Sequence, residues 1–226
     1  EAQVWRVDVD ASLEPTFALG MLSADERARC ASLRFTADRA RYAVSHAALR
    51  LVLAGCVGCD PAEVEFEAGT HGKPQLRRRS GWPDVRFSLS HSGSIALIAV
   101  CQSIEIGVDV EQVRRLADAL PVAARFLGAD AVEALAGAPD GARSALFLRL
   151  WTRTEAYTKM LGLAFLEGGS PTAPPNVLVR DSRFIAARDP MLITFSPRAG
   201  YVASLCAEHS VAVRWRRLIP ADAQPS

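Results

Sequence analysis

Nowhere in this 226-residue chain do about twenty apolar residues run together, the length a helix needs to cross a bilayer. The first residues also lack the basic segment and apolar core of a secretory signal, so a soluble cytoplasmic protein with no membrane partner is expected. An excess of charge is missing too. With 26 basic against 25 acidic residues the net charge is +1, which gives no long-range attraction to nucleic acid or an anionic surface. Any anion site must therefore be a local cluster. Cysteine is sparse, at five scattered residues, an odd number that argues against a disulfide framework and for small buried hydrophobes in a reducing compartment. Cys56 and Cys59 form a C-x-x-C, but no second pair or nearby histidine completes a zinc site. The glycines of a G-x-S-x-G turn are absent around Ser88, Ser90 and Ser92, which excludes a serine-hydrolase elbow there. No internal repeat aligns.

What is present is an apolar half of the composition, 50%, enough for one well-buried domain or two small halves packed together. Residues 3–9 alternate apolar and polar like a half-buried strand. Helical character starts at Ser23 with early acids Asp25 and Glu26, and a main helix is expected over 37–53, where Tyr42, Val44, Leu49 and Val52 fill one side. A turn-rich stretch over 69–74 and the triplet Arg77, Arg78, Arg79 lead into a strand over 85–90. Residues 94–101 and 105–111, rich in Ile and Val across a short polar turn, predict an antiparallel meander. Helices are expected over 116–126 and 142–161, the latter on the recurrence of Phe147, Leu150, Trp151, Tyr157 and Leu161. Strands follow at 192–195, 201–206 and 211–215, after a Gly- and Pro-rich loop over 168–175. The class is α+β, as two similar halves over 1–105 and 106–226.

The sharpest chemical feature is Ile106-Gly107-Val108-Asp109-Val110-Glu111, where strand alternation puts both carboxylates on one face. Two such groups, about 7 Å apart along a strand, repel unless a cation lies between them, and oxygen-only ligands suit Mg²⁺. A solvated face would read the same. Trp151-Thr152-Arg153-Thr154-Glu155-Ala156-Tyr157-Thr158-Lys159 adds a third acid, and Glu155 and Lys159 share a helix face, as an ordinary surface ion pair also would. Phe87-Ser88-Leu89-Ser90-His91-Ser92-Gly93 reads as a strand ending in a polar turn, with Ser90 and His91 able to donate to a phosphate.

Taken in order, Gly72-Lys73-Pro74 and these three segments resemble the signature motifs of Sfp-type 4′-phosphopantetheinyl transferases, over residues 72–159, with a weaker likeness back through 25–50. The resemblance implies two α+β halves with pseudo-twofold symmetry and coenzyme A in the cleft between them. It implies an enzyme that moves phosphopantetheine from coenzyme A onto a serine of an acyl or peptidyl carrier protein, acting as a monomer. Asp109, Glu111 and Glu155 match the family's ligands for Mg²⁺, with Mn²⁺ as a substitute. Glu155, Lys159 and Glu111 are the expected catalytic groups, with Glu155 or a water as base. Arg41, Gly72, Lys73, Pro74, Ser90, His91, Asp109 and Lys159 are the expected coenzyme A contacts. A coenzyme A-binding protein without transfer and a metal-dependent phosphodiesterase are the alternatives.

Two positions depart from the family. Thr154 stands where a lysine is usual before the glutamate, which removes one positive charge near the phosphates. Residues 160–165 carry one glycine, Gly162, where relatives commonly have two. Arg114, Arg115 and Arg125, among apolar residues after the D-x-E strand, are a candidate docking surface for an acidic carrier.

Overall fold

The computed structural model describes residues 1–69, 72–163 and 190–219. The loop expected over 168–175 lies outside them.

Two sheets meet face to face, each covered on its far side by a long helix. Strands β1 (Ala2–Asp8), β4 (Val85–Ser92), β5 (Ile95–Gln102) and β9 (Val213–Arg217) form the first sheet in the order β4-β5-β1-β9. Strands β6 (Ile106–Gln112), β7 (Met191–Phe195) and β8 (Tyr201–Ala207) form the second in the order β6-β8-β7, all antiparallel. β2 (Phe66–Ala68) and β3 (Pro74–Leu76) make a separate two-stranded ribbon where a turn alone was expected.

β5 shows why its sequence is apolar without interruption. Ala96, Ile98 and Val100 face helix α3 (Thr36–Val57), while Ile95, Leu97, Ala99 and Cys101 meet Ile106, Val108 and Val110 of β6. Burial on both faces removes the alternation that a half-solvated strand would keep.

The helices follow from local rules. α1 (Pro15–Met21), not foreseen from the sequence, has proline at its first position and Glu14 as N-cap. α2 (Ala24–Ser32) starts at a capping box in which Ser23 and Glu26 satisfy each other's backbone amides. α3 buries Ala43, Val44, Ala47, Ala48 and Val52 and ends at Gly58, whose φ of 72° forms a left-handed cap. Cys56 and Cys59, at that end, are free thiols. α4 (Ala119–Phe126) starts three residues later than expected, and α5 (Ala129–Ala136) was not foreseen; both pack on α6 (Asp140–Leu161) through Ala123, Ala131, Leu135, Phe147 and Leu150. α6 lies on the second sheet, with Ala156 and Met160 against Leu192 and Cys206.

The antiparallel meander expected from 94–101 and 105–111 does not form. β5 pairs with β4 and β1, whereas β6 pairs with β8 across the 106–207 register. β9 is the second departure. It leaves the second half and extends the first sheet, parallel to β1 with Val4 opposite Trp215. The strand's residues give no sign of this, because a short edge strand can pair with any free edge of matching register.

Candidate active site

The parity of β6 decides what faces what. Ile106, Val108 and Val110 point into the core between the sheets, so Gly107, Asp109 and Glu111 point toward α6. Gly107 is the point of closest approach. A Cβ there would lie 2.0 Å from the Ala156 carbonyl oxygen and 2.5 Å from the Met160 amide, so only glycine lets helix and strand backbones come this near. This approach brings Glu155 and Lys159 of α6 over the two acids of β6.

Asp109 is the best held of the three. It is buried, and its Oδ1 accepts from Lys159 Nζ at 2.7 Å and from Ser90 Oγ at 2.8 Å, while Oδ2 is buried with no hydrogen-bond partner among the described residues. Glu111 Oε2 accepts from Ser92 Oγ at 2.8 Å; burial and the Asp109 charge push its carboxyl up, with Ser92 acting against them. Glu155 is pushed up to about 7, first by burial, then by the charge of Asp109 and less by that of Glu111, while Lys159 pulls it down. The three acids thus share one field, with Lys159 the cation common to them. Among the described residues no three His, Cys, Asp or Glu side chains stand as a ready-made metal cluster. The donor set nevertheless fits a hard divalent cation: all oxygen, two carboxyls raised by burial and repulsion, and one buried carboxylate oxygen without a partner.

Beside these acids lies a cavity of about 430 Å³. Gly72, Lys73 and Pro74 line one side, Phe66, Phe87, Leu89 and Leu49 supply an apolar wall, and Lys159 and Gly162 close the α6 side. Gly162, with φ of 74°, caps α6 and turns the chain at the cavity edge, while residues 164 and 165 lie outside the described residues. Lys73 lines the cavity, but its ammonium is engaged elsewhere. It donates to Glu105 Oε2 at 2.8 Å, to the Ile106 carbonyl at 3.1 Å and to the Met160 carbonyl at 3.4 Å.

His91 is exposed next to this cavity. The surrounding protein disfavours its charge, and Arg41, Lys159 and any charge on His46 add to that, so its imidazole is held below the usual value. Those causes identify a basic cluster drawn from α3, β4 and α6. Arg41 reaches it by donating through Nε to the Gly93 carbonyl at 2.7 Å and pairing with Asp38 at 2.8 Å. Ser90 is placed differently from expectation: its one proton goes to Asp109, so in this arrangement it orients an acid and does not offer a free donor to a phosphate. Thr154 is fully buried, with its hydroxyl on the Leu150 carbonyl, so the position usually held by lysine directs no group toward the site.

His46 and Glu26, also in the cavity wall, were not among the expected site residues. His46 stacks on Tyr42 with ring centroids 3.9 Å apart, and its Nδ1 lies 3.4 Å from Glu26 Oε1. Burial pushes the Glu26 carboxyl up, but His46, the Ser23 amide and Arg50 bring it down to about 2. The Tyr42/His46 spacing of four was the available signal, and it is too common on helices to stand out.

Comparison with known proteins identifies the family. A family model described as 4′-phosphopantetheinyl transferase, N-terminal, matches residues 10–103, and the model of the 4′-phosphopantetheinyl transferase superfamily matches 105–206. The chain is similar to 4′-phosphopantetheinyl transferase HetI of Nostoc sp., at 36% identity over 72% of this chain and 69% of that one. It is also similar to a 4′-phosphopantetheinyl transferase of Bacillus subtilis, at 25% over 84% of each, and to 4′-phosphopantetheinyl transferase psf-1 of Bacillus pumilus, at 30% over 62% of this chain and 58% of that one. With both family models covering the helices and strands that build the acid cluster and its cavity, the chain belongs to the 4′-phosphopantetheinyl transferase superfamily.

Proposed function

We propose that the protein transfers the 4′-phosphopantetheine group of coenzyme A to a serine of an acyl or peptidyl carrier protein, using Asp109, Glu111 and Glu155 to hold Mg²⁺ or Mn²⁺. The observation that carries this reading is the carboxylate of Asp109, fixed on one oxygen by Lys159 and Ser90 and left open on the other, beside two acids that repel it. Bound there, the cation would neutralise diphosphate charge.

The rest of the chemistry falls to side chains. The carrier serine oxygen attacks the β-phosphorus of coenzyme A, the bridging P–O bond to the α-phosphate breaks, and 3′,5′-adenosine bisphosphate leaves. Lys159 keeps a fixed positive charge beside the phosphates, where preorganised charge stabilises the transition state. Glu155, or a water it holds, takes the serine proton. Arg41, His91 and His46 bind the remaining phosphate charge, and Gly72 and Pro74 pack the nucleotide against the apolar wall. In this reading residues 1–105 serve the nucleotide and 106–226 carry the metal acids, with β9 lent to the first sheet.

For the carrier, the surface next to Glu111 is suited. A cavity of about 480 Å³ is lined there by Glu111, Arg114, Arg115, Leu116, Val122 and Trp151, and Arg125 stands over the Phe126 ring on the same helix pair. Arginines around an apolar floor complement an acidic partner and steer its approach. No described helix is long and apolar enough to cross a membrane; the proposal is of a cytoplasmic monomer.

The test is mass spectrometry of an apo carrier protein after incubation with coenzyme A and Mg²⁺. A gain of one phosphopantetheine is expected. Free phosphopantetheine with an unmodified carrier would indicate a phosphodiesterase, and coenzyme A binding with no product would indicate a binding protein.

A further inference from the structure

Among the described residues β6 pairs with β8 on one edge only, and its other edge faces β4 of the first sheet without joining it. An unpaired edge buried between two sheets would leave amides without acceptors, which is costly. Here the acceptors are side chains. The Val108 amide donates to Ser88 Oγ at 3.1 Å, Val110 to Ser90 Oγ at 3.3 Å and Gln112 to Ser92 Oγ at 3.1 Å. The spacing is two on both strands, so alternate residues of β4 meet alternate amides of β6. At the start of the same edge the Ile106 carbonyl accepts from Lys73.

Two of the serines do something more. A hydroxyl accepts and donates at once, and Ser90 and Ser92 pass their protons to Asp109 and Glu111, the carboxylates next in line on β6. Each of these hydroxyls touches an amide and an acid on the same strand. It therefore ties the direction of the carboxylate to the register between the two sheets.

We infer that Ser88, Ser90 and Ser92 form a hydroxyl ladder that stands in for backbone pairing between β4 and β6, and that Ser90 and Ser92 are positioning residues for the acids. This rests on the proposed function only in its second part. The ladder itself is a statement about amides and can be tested without substrate or metal.

Amide hydrogen exchange on the metal-free protein tests the ladder. Ser88→Ala, Ser90→Ala and Ser92→Ala should each speed exchange by roughly tenfold at one amide, Val108, Val110 and Gln112 in turn, because each removes the acceptor that the described residues supply there. Ser90→Thr and Ser92→Thr, which keep the hydroxyl, should restore protection. Unchanged exchange at these amides would overturn the ladder. Positioning is read from the Mg²⁺ concentration giving half-maximal transfer. It should rise by roughly 10- to 100-fold in Ser90→Ala and Ser92→Ala, the usual effect of losing a partner of a metal ligand, and stay at the parent value in Ser88→Ala. A raised KM for coenzyme A at an unchanged Mg²⁺ response in Ser90→Ala would overturn positioning, since the hydroxyl would then be serving a phosphate. If no transfer occurs even with the parent protein, the functional reading fails while the exchange result still stands.

Discussion

Replacing Gly107 by alanine adds one methyl group, and the structure says where it goes. Its carbon would lie 2.0 Å from the Ala156 carbonyl oxygen and 2.5 Å from the Met160 amide, both backbone atoms of α6 that no rotamer change can move. Ordinary non-bonded separations are about 3.5 Å, so α6 and β6 must part by more than an ångström. The contact most exposed to this shift is Lys159 to Asp109, now 2.7 Å, because Lys159 lies next to Met160 and Asp109 two residues from Gly107. Two effects compete. Alanine in place of glycine in a strand should by itself stabilise by about 0.5–1 kcal/mol, whereas forcing a methyl into a packed interface costs about 1–3 kcal/mol. The second is larger, and the net cost, up to about 2.5 kcal/mol, should lower the melting temperature of a chain of this size by up to about 10 °C. Misplacing reacting groups by about 1 Å costs on the order of a hundredfold in rate. Thermal unfolding and the rate of carrier modification measure the two consequences. An alanine variant that melts at or above the parent temperature and keeps its rate would refute the close approach of α6 to β6, and with it the account of how the acids meet.

Asp109→Ala should abolish Mg²⁺-dependent transfer while coenzyme A still binds, as checked by calorimetry; full activity would remove Asp109 from the metal site. Glu155→Gln should lower turnover more than coenzyme A affinity. Glu155 is held up to about 7 before any cation binds and must be deprotonated to hold one, so the Mg²⁺ concentration giving half-maximal transfer should fall as pH rises through that value, and the variant should lose this dependence. The Glu26 carboxyl is lowered from 4.5 to about 2 in the folded state, so it contributes stability above pH 4.5 that is lost as pH falls from there toward 2. The contribution is on the order of 3 kcal/mol. Melting temperatures of the parent and Glu26→Gln should therefore converge in acid and separate above pH 5; parallel curves would show that the carboxyl is not perturbed.

Much of the site could be read along the chain because its logic is local. Asp109 and Glu111 share a face through strand alternation, and Glu155 and Lys159 share one through the helical repeat. The boundaries of α3 and α6 followed from apolar spacing, within a few residues. α1 and α5 were missed because seven or eight residues give too short a window for periodicity to stand out. Ser90 was read for the chemistry of its hydroxyl, but which acceptor takes its proton depends on β6 lying alongside. Lys73 was read as a cation for the nucleotide, yet three acceptors separated from it by 32 to 87 residues hold its ammonium. Glu26 and His46 carry no local signal that they line a cavity.

The residues alone determined which side chains could share a face, where the long helices begin and end, and that three acids and a lysine were available for phosphate chemistry. Only tertiary structure decided that β6 leaves the meander for the second sheet, that β9 returns to the first, and that Gly107 lets α6 bring Glu155 and Lys159 over Asp109. The division has a physical cause. Periodicity and capping act within a few residues, whereas strand partners and helix docking are settled by matching edges and surfaces far apart in the chain, and those matches leave no mark on either segment by itself.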